Sequence, residues 1–159
     1  MEDVFQKLIL MIRAYYPVLY LHSYEYYRTK QKIKGIVELL RREGKKVNYY
    51  QWDCVYGLVQ ILPDKTEKRI ERMQNPLEVL AYILNSKKSG EKNIFVLDDI
   101  NNHIERDEVK LMFRKIAEAT NNNTHAIILS SIYRLPAELE KYITVLQIPL
   151  PKRNELGEV

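Results

Sequence analysis

The sequence contains few of the residues that build common cofactor sites: it has only five glycines, three histidines and one cysteine. The glycines are too dispersed to form G-x-x-x-x-G-K-[ST], the loop whose backbone N–H groups hold nucleotide phosphates. Cys54 has no cysteine partner, which excludes an intrachain disulfide and favours a reducing cytoplasm. The histidines are isolated, and no apolar run approaches the roughly 18 residues that a membrane span needs. We therefore expect no metal site, no signal peptide and no membrane anchor.

The remaining composition is that of an ordinary globular chain. Hydrophobic residues make up 46% of the 159 residues and charged residues 29%, so we expect a single domain over residues 1–159. The net charge is +4, and residues 1–50 hold ten Lys or Arg against five Asp or Glu. We favour a solvated helix face as the explanation, and nucleic acid or an acidic protein partner is the alternative. The basic residues concerned are Arg28, Lys30, Lys32, Lys34, Arg41, Arg42, Lys45 and Lys46.

Short apolar runs alternate with helical repeats along the chain. Five strands are predicted, at 18–21, 47–52, 94–97, 126–129 and 144–148. Helices are predicted from Asp3, from a Ser23 cap to Gly44, from Asn75, over 107–119 and over 136–141. Residues 58–62 could add a short strand, and 64–73 are expected to form a surface loop or a helix fragment. This order predicts an α/β fold, a three-layer sandwich around a mostly parallel five-stranded sheet.

Two carboxylates follow the third predicted strand. Asp98 and Asp99 come directly after the run Ile94–Leu97, and Ser130 and Ser131 follow the fourth strand. In a parallel sheet these ends meet at one edge, where P-loop NTPases hold Mg²⁺ and polarise a water. Acids at a strand end also commonly cap the loop that follows. We favour this structural interpretation over a working metal site.

This arrangement resembles AAA+ ATPases, whose acidic strand ends in Asp-Glu and whose neighbouring strand ends in a polar sensor. The resemblance implies a P-loop NTPase-like fold, with Asp98 in the metal role, Asp99 in the base role and Ser130 or Ser131 as the sensor. Arg134 lies roughly where some AAA+ domains offer an arginine finger in trans. A helix-flanking surface charge is the alternative interpretation of Arg134.

A closer resemblance covers nearly the whole chain. It rests on the segments at 12–20, Trp52 with Gly57-Leu58, Asn75-Pro76-Leu77-Glu78, 135–141, and Pro149-Leu150-Pro151 with Glu155-Leu156. These segments resemble the N-terminal region of a poorly characterised AAA family of bacteria, cyanobacteria and algal chloroplasts. In that family this region is a degenerate AAA-like domain, and a complete ATPase domain follows it. The resemblance implies an ATPase domain as partner, in cis or in trans, and allows a homo-oligomer.

Two departures from an active site lead us to expect no bound nucleotide. The turn at 22–30 contains bulky tyrosines and Glu25 in place of a glycine cradle, and Glu25 would repel a triphosphate. Asp99 is one methylene shorter than the usual Glu, and a misplacement of about 1 Å costs roughly a hundredfold in rate. Lys30 could be imagined as a displaced phosphate lysine, an assignment that the missing glycines disfavour.

Three hypotheses follow from these observations. The favoured one is a non-catalytic AAA-like domain that serves an ATPase as an assembly or regulatory module. The second is a nucleic-acid-binding module that uses the basic first third, where nine of the twelve tyrosines lie within residues 15–56. Those tyrosines serve a protein interface equally well. The third is a nucleotide-binding protein or weak ATPase with an atypical phosphate site.

Overall fold

The computed structural model describes residues 2–119 and 123–150. Four α-helices occur in this part of the chain: α1 (Glu2–Arg13), α2 (Tyr26–Arg42), α3 (Pro76–Ser86) and α4 (Asp107–Glu118). Seven strands accompany them: β1 (Val18–His22), β2 (Val47–Asp53), β3 (Gly57–Ile61), β4 (Glu67–Ile70), β5 (Lys92–Asp98), β6 (Thr124–Ser130) and β7 (Thr144–Gln147). Short 3₁₀ turns lie at Lys87–Ser89, Ile100–His103 and Ala137–Leu139. None of these helices is long and apolar enough to cross a bilayer.

The strands form one mixed sheet in the order β4-β3-β2-β5-β6-β1-β7. The five predicted strands are its parallel part, since β2, β5, β6, β1 and β7 pair in parallel. The predicted number of five is wrong, because the antiparallel hairpin β3–β4 extends the sheet beyond β2. Residues 64–73, expected to be a loop or helix fragment, contain β4. Its sequence, EKRI, escaped prediction because an exposed edge strand needs no apolar alternation.

Helices cover both faces of the sheet. On one face, α1 and α2 pack against strand residues such as Leu19, Val96 and Ile127. On the other face, α3 and α4 pack against Phe95 and Ile128. Successive side chains of β5 and β6 enter opposite cores, so these strands are buried on both sides and read as continuous apolar runs. Three layers result, as predicted.

Local signals explain most element boundaries. Asn75 caps α3, because its side-chain oxygen accepts the Leu77 N–H at 2.9 Å. Gly44 adopts φ 88° just after α2, a conformation that favours glycine. The predicted Ser23 cap is wrong: α2 begins at Tyr26, after Glu25, and the Ser23 hydroxyl instead accepts the Glu25 N–H at 3.1 Å. That bond makes a local turn before the helix begins.

A buried polar cluster lies at the amino edge of the parallel strands. His125 Nδ1 donates to the Tyr16 carbonyl at 2.6 Å, so its Nε2 accepts from the Lys92 ammonium at 2.8 Å. Lys92 Nζ also contacts the Ile12 carbonyl at 3.3 Å and lies 5.3 Å from the centre of the Tyr15 ring. Burial is the main cause that lowers the pKa of His125 to about 3, and the positive charge of Lys92 is the second. The cluster therefore joins α1 to two strands with a neutral imidazole.

Candidate functional site

The predicted acids and serines meet at the carboxyl edge of the sheet. Strands β5 and β6 run in parallel with Asp98 opposite Leu129, so Asp99 and Ser130 follow side by side. Strand β1 lies on the far side of β6, with His22 opposite Ser130. The expectation that these strand ends are neighbours is confirmed by this register.

Asp98 forms an ion pair with Lys30 of α2, whose Nζ donates to Asp98 Oδ2. Both groups lie mostly out of solvent, with 23% of the Lys30 side chain and 15% of the Asp98 side chain exposed. Within the described residues, Asp98 Oδ1 is buried without a hydrogen-bond partner. Burial raises the pKa of Asp98 above its ordinary value, and the Lys30 ammonium opposes this rise without overcoming it. The positive charge beside this carboxylate is therefore supplied by the Lys30 side chain.

Asp99 is held in an unusual backbone conformation. Its φ of 56° lies in the left-handed region, which Asp tolerates better than most residues. Its N–H donates to the Leu129 carbonyl at 2.9 Å. Its Oδ1 accepts the Tyr26 hydroxyl at 2.6 Å and the Ser130 hydroxyl at 3.0 Å. Two donors from the protein therefore occupy one of the two carboxylate oxygens with which a catalytic base could take a proton from water.

Tyr26 connects the ends of two strands. Besides donating to Asp99, its hydroxyl oxygen accepts the Ser131 N–H at 2.9 Å. Tyr26 and Lys30 are four residues apart near the start of α2, so both side chains lie on one face of the helix. Sequence reasoning treated Tyr26 as a bulky residue and as one of the tyrosines for base stacking or a protein interface, and missed this role. The i, i+4 spacing of a hydroxyl and an ammonium opposite two acids was the available signal.

The turn between β1 and α2 is closed by its own side chains. The Ser23 hydroxyl lies 2.9 Å from the Thr29 hydroxyl, and both residues are buried. The Ser23 N–H donates to the Ser130 carbonyl at 2.9 Å. A phosphate loop needs several free backbone N–H groups that point into an open cradle. Here the corresponding turn is packed against the neighbouring strand.

Arg134 belongs to a second polar network at this edge. Its guanidinium donates to the Asn102 side chain at 2.6 Å, and its N–H donates to the Tyr20 hydroxyl at 2.9 Å. Tyr20 in turn donates to the Ile132 carbonyl at 2.6 Å and accepts from the buried Asn101 amide at 2.9 Å. Arg134 itself is exposed. Its position is compatible with either interpretation, a finger toward a neighbour or a surface charge.

The structure divides the predicted basic patch. Lys30, Lys34 and Arg41 line cavities between α2 and the β3–β4 hairpin. Lys45 and Lys46 follow α2 and line the adjoining cavity at the opposite end. The remaining members, Arg28, Lys32 and Arg42, do not line these cavities. Among the described residues, no group of three His, Cys, Asp or Glu side chains is arranged to hold a metal ion.

A family model matches almost the whole described chain. Residues 4–148 match the model described as the N-terminal domain of SpoVK-like AAA ATPases. The chain belongs to this family. The SpoVK-like N-terminal domain thus includes the acid pair and Lys30, while Pro151 and the Glu155-Leu156 pair, part of the motif resemblance, lie outside the described residues.

Longer proteins that carry the name "uncharacterized AAA domain-containing protein ycf46" are similar to this SpoVK-like N-terminal domain. The one from Guillardia theta is 28% identical over 149 residues, covering 92% of this chain and 28% of the relative. The one from Trieres chinensis is 28% identical over 153 residues, covering 96% of this chain and 29% of the relative. The one from Gracilaria tenuistipitata var. liui is 30% identical over 134 residues, covering 80% and 25%. The chain therefore spans less than a third of the length of these relatives.

Proposed function

We propose that this domain is a non-catalytic, degenerate P-loop NTPase-like module that assembles or regulates an AAA ATPase. The observation that carries the proposal is that side chains of the protein bind both acids. Lys30 pairs with Asp98, while Tyr26 and Ser130 donate to Asp99. These contacts use one oxygen of each carboxylate, Asp98 Oδ2 and Asp99 Oδ1, so each acid is already held by the protein before any metal ion or water approaches.

The packed turn after β1 supports the same proposal. Ser23 and Thr29 bond to each other where a glycine cradle would leave space for phosphates. A cavity of about 300 Å³ borders Lys30, and neither Asp98 nor Asp99 contributes to its lining. An atypical nucleotide site at the acid pair, the third hypothesis from the sequence, is therefore not the function we favour.

The direction of the chain after β7 suggests where an ATPase domain would attach. Gln147 lies opposite His22, and the Ile148 N–H donates to the His22 carbonyl at 2.9 Å, so the chain leaves at the carboxyl edge. Tyr24 and Tyr133 flank His22 there and are 60% and 50% exposed. Exposed aromatic residues beside an exit point are suited to a domain interface. We propose that the ATPase domain, in cis or in trans, docks on this edge.

The first test is nucleotide binding. We expect a fluorescent ATP analogue with Mg²⁺ to show no saturable binding to the purified domain, and an Asp98→Ala variant to behave identically. Because Asp98 is already paired, its removal should change stability without changing nucleotide affinity. Binding that is present in the wild type and lost in Asp98→Ala would contradict the proposal. ATP turnover lost on Asp99→Ala would contradict it equally.

The second test addresses the assembly role directly. The Guillardia theta relative would be prepared intact, with its homologous segment deleted, and with that segment replaced by this domain. We expect deletion to change the assembled mass in light scattering, or the rate of ATP turnover, and replacement to restore it. A Tyr24→Ala/Tyr133→Ala version of the replacement should restore less. Identical behaviour of the intact and deleted proteins would contradict an assembly or regulatory role.

A further inference from the structure

A groove made of adjoining cavities runs between α2 and the β3–β4 hairpin and reaches the amino edge of the sheet. Three cavities form it, of about 300, 320 and 450 Å³. The first two share Ile61 and Glu67, and the last two share Arg41, Leu62 and Pro63. From Lys30 to Arg41 the groove follows α2 for about 16 Å, at 1.5 Å per helical residue. The groove adjoins the acid pair through Lys30, but neither Asp98 nor Asp99 lines it, so its function does not depend on the proposal above.

The groove is predominantly basic. Its lining includes six basic side chains, Lys30, Lys34, Arg41, Lys45, Lys46 and Lys65, and three acidic ones, Asp53, Glu38 and Glu67. The 450 Å³ cavity at the amino edge has basic lining residues and no acidic ones. Lys30 and Lys46 are paired with Asp98 and Glu91. The other four basic groups, Lys34, Arg41, Lys45 and Lys65, outnumber the three acidic ones by one and can meet an anion.

Arg41 is fixed in place before any ligand arrives. Its Nε and Nη2 donate to the Val47 carbonyl at 3.1 and 2.8 Å. These two hydrogen bonds to one carbonyl orient the guanidinium plane and leave other N–H groups for an anion. Burial lowers the pKa of Arg41 from its ordinary value, which is the expected result of holding a guanidinium against the domain surface.

Gly35 borders open space in the groove. It lies in the interior of α2, where glycine costs about 1 kcal/mol relative to alanine. A Cβ at this position would meet nothing within 4 Å, so packing does not require the glycine. Gly35 lines the central cavity together with Tyr49 and Ile61. Space in the groove is what the missing side chain provides.

Two tyrosines stand at the carboxyl-edge end of the groove. Tyr56 lines the 300 Å³ cavity and is 63% exposed, and Tyr27 is 75% exposed. The Tyr27 hydroxyl accepts from Gln31, which lines the central cavity. Exposed rings beside a basic groove can stack on nucleobases, whereas an acidic peptide needs no such platform.

We propose that this groove binds single-stranded nucleic acid. The phosphates lie along Lys34, Arg41, Lys45 and Lys65, and a base stacks on Tyr56 or Tyr27. A flexible single strand can follow a depression between a helix and a hairpin, and stacking on tyrosine tolerates any base. Binding is therefore expected to depend strongly on salt and weakly on sequence.

Fluorescence anisotropy with labelled oligouridine and oligothymidine of about 12 nucleotides tests the proposal, within the usual range of about 4–16 nucleotides per site. Four neutralised phosphates predict a slope of about −3 in log K against log salt, or about sixtyfold weaker binding between about 50 and 200 mM. Lys34→Gln/Lys65→Gln should reduce the slope by about 1.4. Lys88→Gln/Lys115→Gln, on the α3 and α4 side, removes the same charge and should leave the slope unchanged.

Uncharged variants separate the groove from general electrostatic attraction. Gly35→Leu should fill the groove and weaken binding at least about tenfold, while Gly35→Ala should raise helix stability and retain binding. Tyr56→Ala should weaken binding about tenfold without changing the salt slope. Three outcomes would overturn the proposal: no anisotropy change with either oligonucleotide at low salt, equal losses in the groove and control lysine pairs, or tighter binding of an acidic peptide. Thermal unfolding of each variant verifies that it is folded.

Discussion

Lys30→Met is the substitution that most directly examines the internal neutralisation of Asp98. Methionine keeps the length and helix propensity of the side chain and removes its charge. Truncating one partner of a buried ion pair costs about 3–5 kcal/mol, because the other charge remains buried alone. The Lys30 and Asp98 side chains are 23% and 15% exposed, so water screens part of this cost. We expect the free energy of unfolding at pH 7 to fall by about 3 kcal/mol.

The same reasoning gives the pH dependence of this loss. The pKa of Asp98 is already raised by burial, and removing Lys30 removes the influence that lowers it. A carboxyl whose folded pKa exceeds its unfolded value stabilises the fold below about pH 3.8, and this contribution is lost as the pH rises through the folded pKa. The variant has the higher folded pKa, so its deficit relative to the wild type should shrink on acidification. At about pH 4 we expect a difference of less than about 1 kcal/mol.

Urea unfolding followed by the fluorescence of Trp52, the single and buried tryptophan, measures these differences. Lys34→Met is the matched control: it makes the same change on the same helix at a half-buried lysine, and should cost within about 0.5 kcal/mol. In an Asp98→Asn background, Lys30→Met should cost less than about 1 kcal/mol. A deficit that is equal at pH 7 and pH 4, or undiminished in the Asp98→Asn background, would refute the reasoning.

Three further predictions concern the scaffold. The folded pKa of His125, about 3, lies below its unfolded value of about 6.5. As the pH falls between these values, the free energy of unfolding of the wild type should therefore decrease by up to about 1.4 kcal/mol per pH unit. His125→Asn should show a shallower urea-midpoint profile over that range, and an equally steep profile would contradict the assignment. A Cβ on Gly57 would lie 2.1 Å from a backbone carbonyl oxygen, at φ 80°, whereas Gly44 has open space at φ 88°. Gly57→Ala should therefore lower the thermal midpoint more than Gly44→Ala, whose strain alone costs about 1–2 kcal/mol. Asn75→Ala should cost about 1 kcal/mol in urea unfolding, and Asn75→Asp, which keeps a capping oxygen, should restore most of it.

The sequence was sufficient to predict the parallel core of the fold. Strands such as β5 and β6 are buried on both faces, so their continuous apolar runs are visible without a structure. The capping signal at Asn75 and the glycine stop at Gly44 were likewise local and therefore predictable. The hairpin strand β4 was not, because its residues are held by backbone pairing to β3 and carry no apolar pattern.

For the candidate site, the sequence could predict which strand ends are neighbours, but it could not predict the hydrogen bonds and the ion pair that the acids form. Register between parallel strands brings Asp99 and Ser130 together, and topology alone implies that. The contacts of Lys30 and Tyr26 depend on where α2 begins and on how it is rotated over the sheet. Because Ser23 makes a local turn and does not cap the helix, α2 begins at Tyr26, and no propensity rule predicted this shift.

The exposed edge strand β4 also has a consequence for solution behaviour. A free strand edge is a template on which the sheets of other molecules can add, and this is a common route to aggregation. Three of the four residues of β4, Glu67, Lys68 and Arg69, are charged and exposed. A second molecule that paired with this edge would have to bring charged side chains close together and partly dehydrate them. The feature that concealed β4 in the sequence therefore also protects the domain from edge-to-edge association at high concentration.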